Sequence, residues 1–371
     1  MWRGVRRVGV EEELLLVDSH SGELRPVARD VIAGCGPERG DGVQVKHEFF
    51  SSQIEVASNP HVELDAVRDE LAAARVALAD VGTMYGVAPL AVPGPVLATA
   101  PLLSSDRSPG QRYAEIERHY GDVARRSLMC ALHVHVEVAG DEEGVAVIDR
   151  VRPWIPVLVA ISANSPYWQG RDSGYDSWRA RQWNMWPTSG PAELFGSAAR
   201  YHAVVHEMVR RGAALDVAMV NLDVRLSHRY PTVEFRVADV CTDLDDAMVV
   251  AALARALVTH CAGQWRAGEP VGEWRVDELR AAAWRASRFG LGGTLVSPLT
   301  RELTLGADLL QQMMAFLAAP LESTGDTTMV ARGIAALASR GHGATRQRRA
   351  FATAGGMPGV VADLQLRTAG T

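Results

Sequence analysis

Residues 130–138 read Cys-Ala-Leu-His-Val-His-Val-Glu-Val. Cys130, Leu132, Val134, Val136 and Val138 alternate with Ala131, His133, His135 and Glu137. That is the two-residue period of a strand with one face in a core. The other face carries imidazoles and a carboxylate. The arrangement recurs along the chain. In residues 5–17, Val8, Val10, Leu14 and Leu16 share one parity and Glu11 and Glu13 the other. The extended stretch 43–57 presents Gln53 and Glu55. Asn221–Leu226 presents Asn221, Asp223 and Arg225, and Thr232–Val237 presents Thr232, Glu234 and Arg236. A solvated sheet face also alternates polar residues, and for any single strand that reading suffices. Five such strands gather enough carboxylates that a cation or a shared proton must compensate them. Oxygen-rich sets of this type favour Mg²⁺ or Mn²⁺, ions that also bind substrate phosphates. Glu48 and Glu55 are seven apart, so one straight strand would point them to opposite sides. A bulge or turn at Ser51-Ser52 would reconcile them.

Around these strands the apolar spacing predicts helices over Val62–Tyr85, Arg112–Arg126, 151–163, Pro191–Arg211, Asp243–Trp265, Val276–Phe289, Leu303–Ala319 and around Ala331. Residues 86–110, rich in Pro, Gly and Ser, read as a loop. Mixed strands followed by helices imply an α+β fold with an antiparallel or mixed sheet. No linker divides the chain, so residues 1–371 are expected to form one domain.

Composition narrows the function. The chain has 371 residues, 47% hydrophobic and 22% charged, with a formal net charge of -6. This is the balance of a globular protein and argues against a nucleic-acid-binding surface. Of 38 basic residues only Lys46 is a lysine. There is therefore no Gly-Lys-Ser/Thr phosphate loop, and phosphate or carboxylate recognition falls to arginine. Four unpaired-looking cysteines and a glutamate-rich N-terminus without signal-peptide character point to the cytoplasm. The most apolar stretches, Pro153–Ala163 and Met248–Thr259, are shorter than the roughly 20 residues that span a bilayer. No membrane segment is expected. The absence of a helical His-Glu-x-x-His argues against zinc.

Residues 164–179 read Asn-Ser-Pro-Tyr-Trp-Gln-Gly-Arg-Asp-Ser-Gly-Tyr-Asp-Ser-Trp-Arg, and the aromatic segment continues through Trp183 and Trp186 to Gly190. Long irregular segments in compact domains often carry binding sites, although an aromatic satellite core has the same composition. With this segment the chain resembles the type 2 glutamate–cysteine ligase family of carboxylate–amine ligases. The matching pieces are Gly9-Val-Glu-Glu-Glu13, Glu48 to Ile54-Glu55-Val56, Leu132-His-Val-His135, Asn164-Ser-Pro through Arg179, Asp223-Val-Arg225, and Pro231-Thr-Val-Glu-Phe-Arg-Val-Ala-Asp239. The ordered set is specific, and the likeness thins after residue 260. The family usually has aromatic residues before Asp-Val-Arg; here Asn221 and Leu222 stand there, so that edge of the pocket differs.

The resemblance implies a fold like that of glutamine synthetase and the guanidino kinases: a curved antiparallel sheet with helices on its convex face and the site in its concave face. It implies ATP and Mg²⁺ (or Mn²⁺) as cofactors, glutamate and an amino-acid amine as small-molecule substrates, and an acyl-phosphate intermediate. Glu11, Glu13, Glu48, Glu55 and Glu234 are the implied metal ligands, with Gln53 a further one. Arg236 would hold the γ-phosphate beside Glu234. His133, with His135 on the same face, would contact nucleotide or phosphate. Arg179 and Arg225 would pair with a substrate carboxylate, with Asn164 and Tyr175 completing the substrate pocket. A guanidino-type phosphotransferase and a non-catalytic nucleotide or amino-acid sensor are the competing readings, and a member dedicated to a thiol pathway falls within the ligase reading. Apolar helices in the last third either form a homodimer interface or complete the core.

Overall fold

The computed structural model describes residues 4–35, 43–99 and 106–370. Its main sheet contains β1 (Val8–Asp18), β2 (Gln44–His47), β3 (Gln53–Ala57), β4 (Val87–Leu90) and β5 (Ala131–Glu137). A separate hairpin, β6 (Tyr167–Trp168) and β7 (Arg171–Asp172), precedes the last two strands of the main sheet, β8 (Val224–Leu226) and β9 (Thr232–Asp239). A second hairpin follows, β10 (Thr294–Val296) with β11 (Leu303–Leu305). The main order is β2-β3-β1-β5-β9-β8, and β4 pairs with β1. Every pairing in it is antiparallel.

The alternating apolar residues decide which face is covered. Val8, Val10, Leu14 and Leu16 of β1, Ile54 and Val56 of β3, Leu132, Val134 and Val136 of β5, and Val233 and Phe235 of β9 are all buried. The helices Leu64–Met84, Asp141–Val151 and Leu244–Arg266 pack on this side. Leu244–Arg266 begins with Asp245 and Asp246, which suit the positive end of its dipole. It is hydrophobic nearly all round, as a helix in a core must be. The helix predicted over Asp243–Trp265 is this 23-residue element, of which Met248–Thr259 is the most apolar part. By length and composition it could cross a membrane, but 83% of its apolar window is buried inside this fold. Val330, Ile334, Leu337, Val360 and Leu364 join the same buried cluster as Val8, so the last third completes the core.

Four predicted elements differ. Val87–Leu90, read as part of a loop, is a strand on β1; Pro89 disguises it, since proline is tolerated only where no ladder donor is needed. The rest of that predicted loop at 100–105 lies outside the described residues. The helix predicted over Arg112–Arg126 is two, Gln111–Tyr120 and Asp122–Arg125, because Gly121 at φ 57° turns the chain out of the right-handed helix. The helix predicted from Pro191 starts at Ala198, after Ser197 whose side chain accepts from Arg200 N–H. Leu303–Leu305 is strand, and its helix begins at Gly306. Glu48 and Glu55 are reconciled as expected: β2 ends at His47, the chain turns through Ser51-Ser52, and β3 returns from Gln53.

Candidate active site

Directly opposed residues in antiparallel strands point to the same side of the sheet. Lys46 lies opposite Glu55, which lies opposite Glu13. Glu11 lies opposite His133, and His135 opposite Glu234, which lies opposite Arg225. One row of charged side chains thus crosses six strands on the face away from the core helices. Between Leu132 and Val134 the register slips, so Arg236 and Val237 of β9 together face His133. A bulge of this kind re-aims side chains and releases backbone groups. Here Asp239, three residues after Arg236, pairs with Ala131 and so stands on the same side. The carbonyls of Arg236 and Val237 accept N–H bonds of 3.2 Å from the Arg179 guanidinium.

The row floors a cavity of about 430 Å³. Helix Gln111–Tyr120 supplies its wall through Arg112, Tyr113 and Ile116, and the β8–β9 turn contributes Ser227 to Tyr230. Trp183 closes one side, its ring 5.5 and 5.6 Å from the guanidinium carbons of Arg179 and Arg236, within range of a cation–π contact. Among the described residues, two ligand sets have donor atoms within 4.8 Å of one another: Glu13 with Glu48 and Glu55, and Glu11 with His135 and Glu234. The Nε2 atom of His133 is buried without a hydrogen-bond partner there, and that of His135 has Glu11 Oε2 at 3.7 Å. Glu13 and Glu48, which make no ion pair among the described residues, together with the unpartnered His133 Nε2, fit divalent cations.

The electrostatics separate the two sets. Burial, then the neighbouring Glu48, drives the Glu13 carboxyl well above its ordinary range. Burial also raises Glu48, and with Glu11 and Glu48 nearby it pushes Glu55 up to about 8. Burial would raise Glu11 too, but hydrogen bonds from His133 and His135 hold it well below the carboxylate range. Glu234 is likewise held low against burial by Arg236 and Arg225. Burial and then Arg236 depress His133 to about 4, leaving a neutral imidazole at neutral pH. In the metal-free protein the raised acids keep protons that the unfolded chain would lose near pH 4.5. Their stabilising contribution is present at low pH and is lost as pH rises through about 8 for Glu55. Mg²⁺ or Mn²⁺ bound by these acids would replace those protons and should therefore raise the melting temperature more at pH 8 than at pH 6. Thermal melts with and without metal at both pH values measure this, and equal shifts would count against the site.

The glutamate–cysteine ligase family 2 model matches residues 7–364. The chain belongs to that family. A Streptomyces coelicolor protein named "Putative glutamate--cysteine ligase 2" is 45% identical over 365 residues, covering 98% of this chain and 99% of its own length. Among solved structures, the Francisella tularensis glutamate–cysteine ligase in complex with AMP superposes with a TM-score of 0.70 at 13% identity, covering 99% of this chain and 89% of its own. A bifunctional glutathione synthetase from Pasteurella multocida gives 0.65 at 14%, covering 98% of this chain and 52% of its own. At these identities the two structures speak to the fold alone, which this chain shares with them. The family match reaches past residue 260, where the motif likeness thins.

Within this family member the expected site residues divide by position. Glu11, Glu13, Glu48, Glu55, Glu234, His133, His135, Arg179, Arg225 and Arg236 all line the cavity. Gln53 lines it too: its amide N–H₂ donates to Glu13 and to the Met129 carbonyl, 3.2 and 2.8 Å, and so positions the Glu13 carboxyl group. Arg225 is spent inside the protein, on Glu234 and on the carbonyls of Ala218 and Val220, which leaves it no fork for a substrate carboxylate. Asn164 is not in the cavity. It is buried, donating to Val240 and Thr242 and accepting from Gln347, so it ties the loop to the C-terminal helices. Tyr175 is also outside, its hydroxyl accepting from Trp284. The sequence reading missed Asp239, whose carboxylate accepts from Asn164 N–H, Ser165 and Ser177 and so fixes the loop carrying Arg179. Its signal was the two serines and one aspartate inside the quoted motifs.

Proposed function

We propose that this chain is an ATP-dependent carboxylate–amine ligase that joins the γ-carboxylate of glutamate to an amine. The observation that carries this is the pair of carboxylate sets, Glu13/Glu48/Glu55 and Glu11/Glu234 with His135, on one face with Arg236 in electrostatic reach of both. Divalent cations held there, Mg²⁺ or Mn²⁺, would neutralise the phosphates of ATP. Arg236, whose charge Glu234 secures, aims at the transferring γ-phosphate. His133, neutral, offers Nε2 to nucleotide or phosphate. Arg179 keeps a buried Nε–H without a partner among the described residues, and it faces the carboxylate substrate. The γ-carboxylate attacks the γ-phosphorus, the bond to ADP breaks, and an acyl phosphate results. The amine then displaces phosphate at the acyl carbon. A carboxylate needs no activating base, so positioning and charge neutralisation suffice.

Purified protein should release ADP only when ATP, a divalent cation, glutamate and an amine are all present. The AMP complex of the Francisella tularensis enzyme and the family match support nucleotide use. A coupled ADP assay over a panel of amines measures it. A stable phosphorylated product formed without amine would indicate a phosphotransferase instead, and binding without turnover a sensor.

A further inference from the structure

The helix Gly343–Thr353 contributes no residue to the lining of the acidic cavity. It nevertheless grips the loop that leads to Arg179, and it does so at both ends. At the near end the Ala344 N–H donates to the Ala163 carbonyl at 2.9 Å. One turn on, the Gln347 amide N–H₂ donates to the backbone and side-chain oxygens of Asn164 at 2.6 and 2.8 Å. Gly343 permits this approach, since a Cβ there would stand 2.0 Å from Asn164 Oδ1. At the far end Arg348 donates to Asp172 at 2.9 and 3.1 Å and to the Tyr175 carbonyl at 2.9 Å, and it pairs with Asp176. From Asn164 the contacts continue stepwise to the site. The Asn164 N–H donates to Asp239 Oδ2 at 2.9 Å. The same oxygen accepts from the Ser165 hydroxyl at 2.7 Å, and Ser165 Oγ accepts the Arg179 N–H at 3.0 Å. The other Asp239 oxygen accepts at 2.9 Å from Ser177, the N-cap of the helix Trp178–Trp183. Every side chain in this chain of contacts is buried.

Gln347 uses its amide only as a donor. Its Oε1 is buried without a partner among the described residues. An unsatisfied buried oxygen costs free energy, so an apolar side chain would fill this place in the core more cheaply. The two N–H bonds to Asn164 are what the polar side chain adds. In a close-packed interior a shift at one link is passed on to the next. We propose that Gln347 is a positioning residue: through Asn164, Ser165 and Asp239 it sets the place of Arg179, and with it the fit of the carboxylate substrate. This rests on the ligase reading above, in which Arg179 faces glutamate. The groups that would hold metal and phosphate, such as Glu13, Glu234 and Arg236, stand on or beside the strands of the sheet and not on this loop. The effect is therefore confined to glutamate.

The test uses the full chain with ATP, Mg²⁺, glutamate and hydroxylamine, which traps an acyl phosphate as γ-glutamyl hydroxamate and so requires no knowledge of the natural amine. Hydroxamate from the unmodified protein first establishes the ligase reading. Gln347→Met, of similar size but without the donor, should then raise KM for glutamate by about tenfold, with KM for ATP within about twofold. Partial misfolding lowers kcat and leaves both KM values alone, so it does not imitate this split. Folding should survive, because Asn164 keeps its bonds to Asp239, Val240 and Thr242. Gln347→Asn, one methylene shorter, is the milder second variant and should shift the glutamate KM in the same direction. The decisive measurement is a double-mutant cycle. Arg179→Met alone should raise KM for glutamate, and in that background Gln347→Met should add less than about twofold, since its route to the substrate is already cut. A glutamate KM within about twofold of the unmodified protein in Gln347→Met would overturn the positioning role. So would equal rises in both KM values, full additivity with Arg179→Met, or failure of both Gln347 variants to fold, which would make the contact a framework one. Absence of hydroxamate from the unmodified protein would overturn the ligase reading itself, and this inference with it.

Discussion

Replacing Arg236 by alanine should lower kcat for glutamate- and amine-dependent ADP release by about 10²- to 10³-fold, the usual effect of removing one preorganised donor from a transition state. The guanidinium is buried, its Nε has no partner among the described residues, and one NH group contacts Glu234. It therefore has donors left for substrate. Burial alone would weaken its charge, but Glu234, Glu13 and Glu11 hold its pKa above the ordinary value. A fixed cation in a dry site acts most strongly where negative charge shifts between oxygens, which happens during phosphoryl transfer. The loss should fall on kcat more than on KM for ATP, because the metal ligands remain. Folding should survive, since Glu234 keeps its two hydrogen bonds from Arg225, 2.8 and 3.2 Å. Arg236→Lys should recover only part of the rate, a point charge lacking the planar fork. Steady-state kinetics with circular dichroism as the folding control decide the matter. A kcat within about threefold of the unmodified enzyme would remove Arg236 from the chemistry.

The sheet and most of its charged row were legible because a period of two is a local property. His133 and His135, or Glu11 and Glu13, reveal their common side without knowledge of any partner strand. The turn at Ser51-Ser52 was legible for the same reason: parity alone forbids Glu48 and Glu55 from sharing a straight strand. Asp239 was not legible, because the bulge at Arg236 and Val237 resets the parity, and a bulge depends on what β5 does opposite it. Asn164 and Tyr175 were misplaced for a related reason. They belong to a quoted motif, but the motif's loop faces two ways, toward the cavity with Arg179 and toward the helices beyond residue 275 with the other two. Arg225 was placed on the correct face and given the wrong partner. Which anion an arginine meets depends on the cross-strand neighbour, Glu234, and that pairing is long-range information.

Adjacent glutamates in β1 should respond to the same substitution in opposite ways. Glu12 points to the core side, fully buried, and receives two hydrogen bonds from the equally buried Arg75, 2.9 and 2.7 Å. Arg75 also donates to the carbonyls of Cys241 and Thr242, so the pair joins β1 to the start of the Leu244–Arg266 helix. Glu12→Gln leaves a buried guanidinium without its counter-charge and should cost about 3–5 kcal/mol of stability. Glu13 points the other way. It makes no ion pair among the described residues, and its Oε2 accepts from Gln53 and from Ala131 N–H, both of which a glutamine oxygen can accept equally well. Burial and the nearby Glu48 and Glu55 make its charge a liability in the metal-free protein. Glu13→Gln should therefore leave metal-free stability unchanged or raise it by up to about 1 kcal/mol, while abolishing both ADP release and most of the thermal shift caused by Mg²⁺. Urea midpoints at constant m, melts with and without metal, and the ADP assay together read both variants. A destabilised Glu13→Gln protein with a normal metal response would mean that Glu13 belongs to the framework. The opposite outcome for Glu12→Gln would mean that the two faces of β1 have been assigned the wrong way round. The contrast arises because, among the described residues, Glu12 has an ion-pair partner and Glu13 has none; burying Glu13 carries a stability cost consistent with a ligand that binds there.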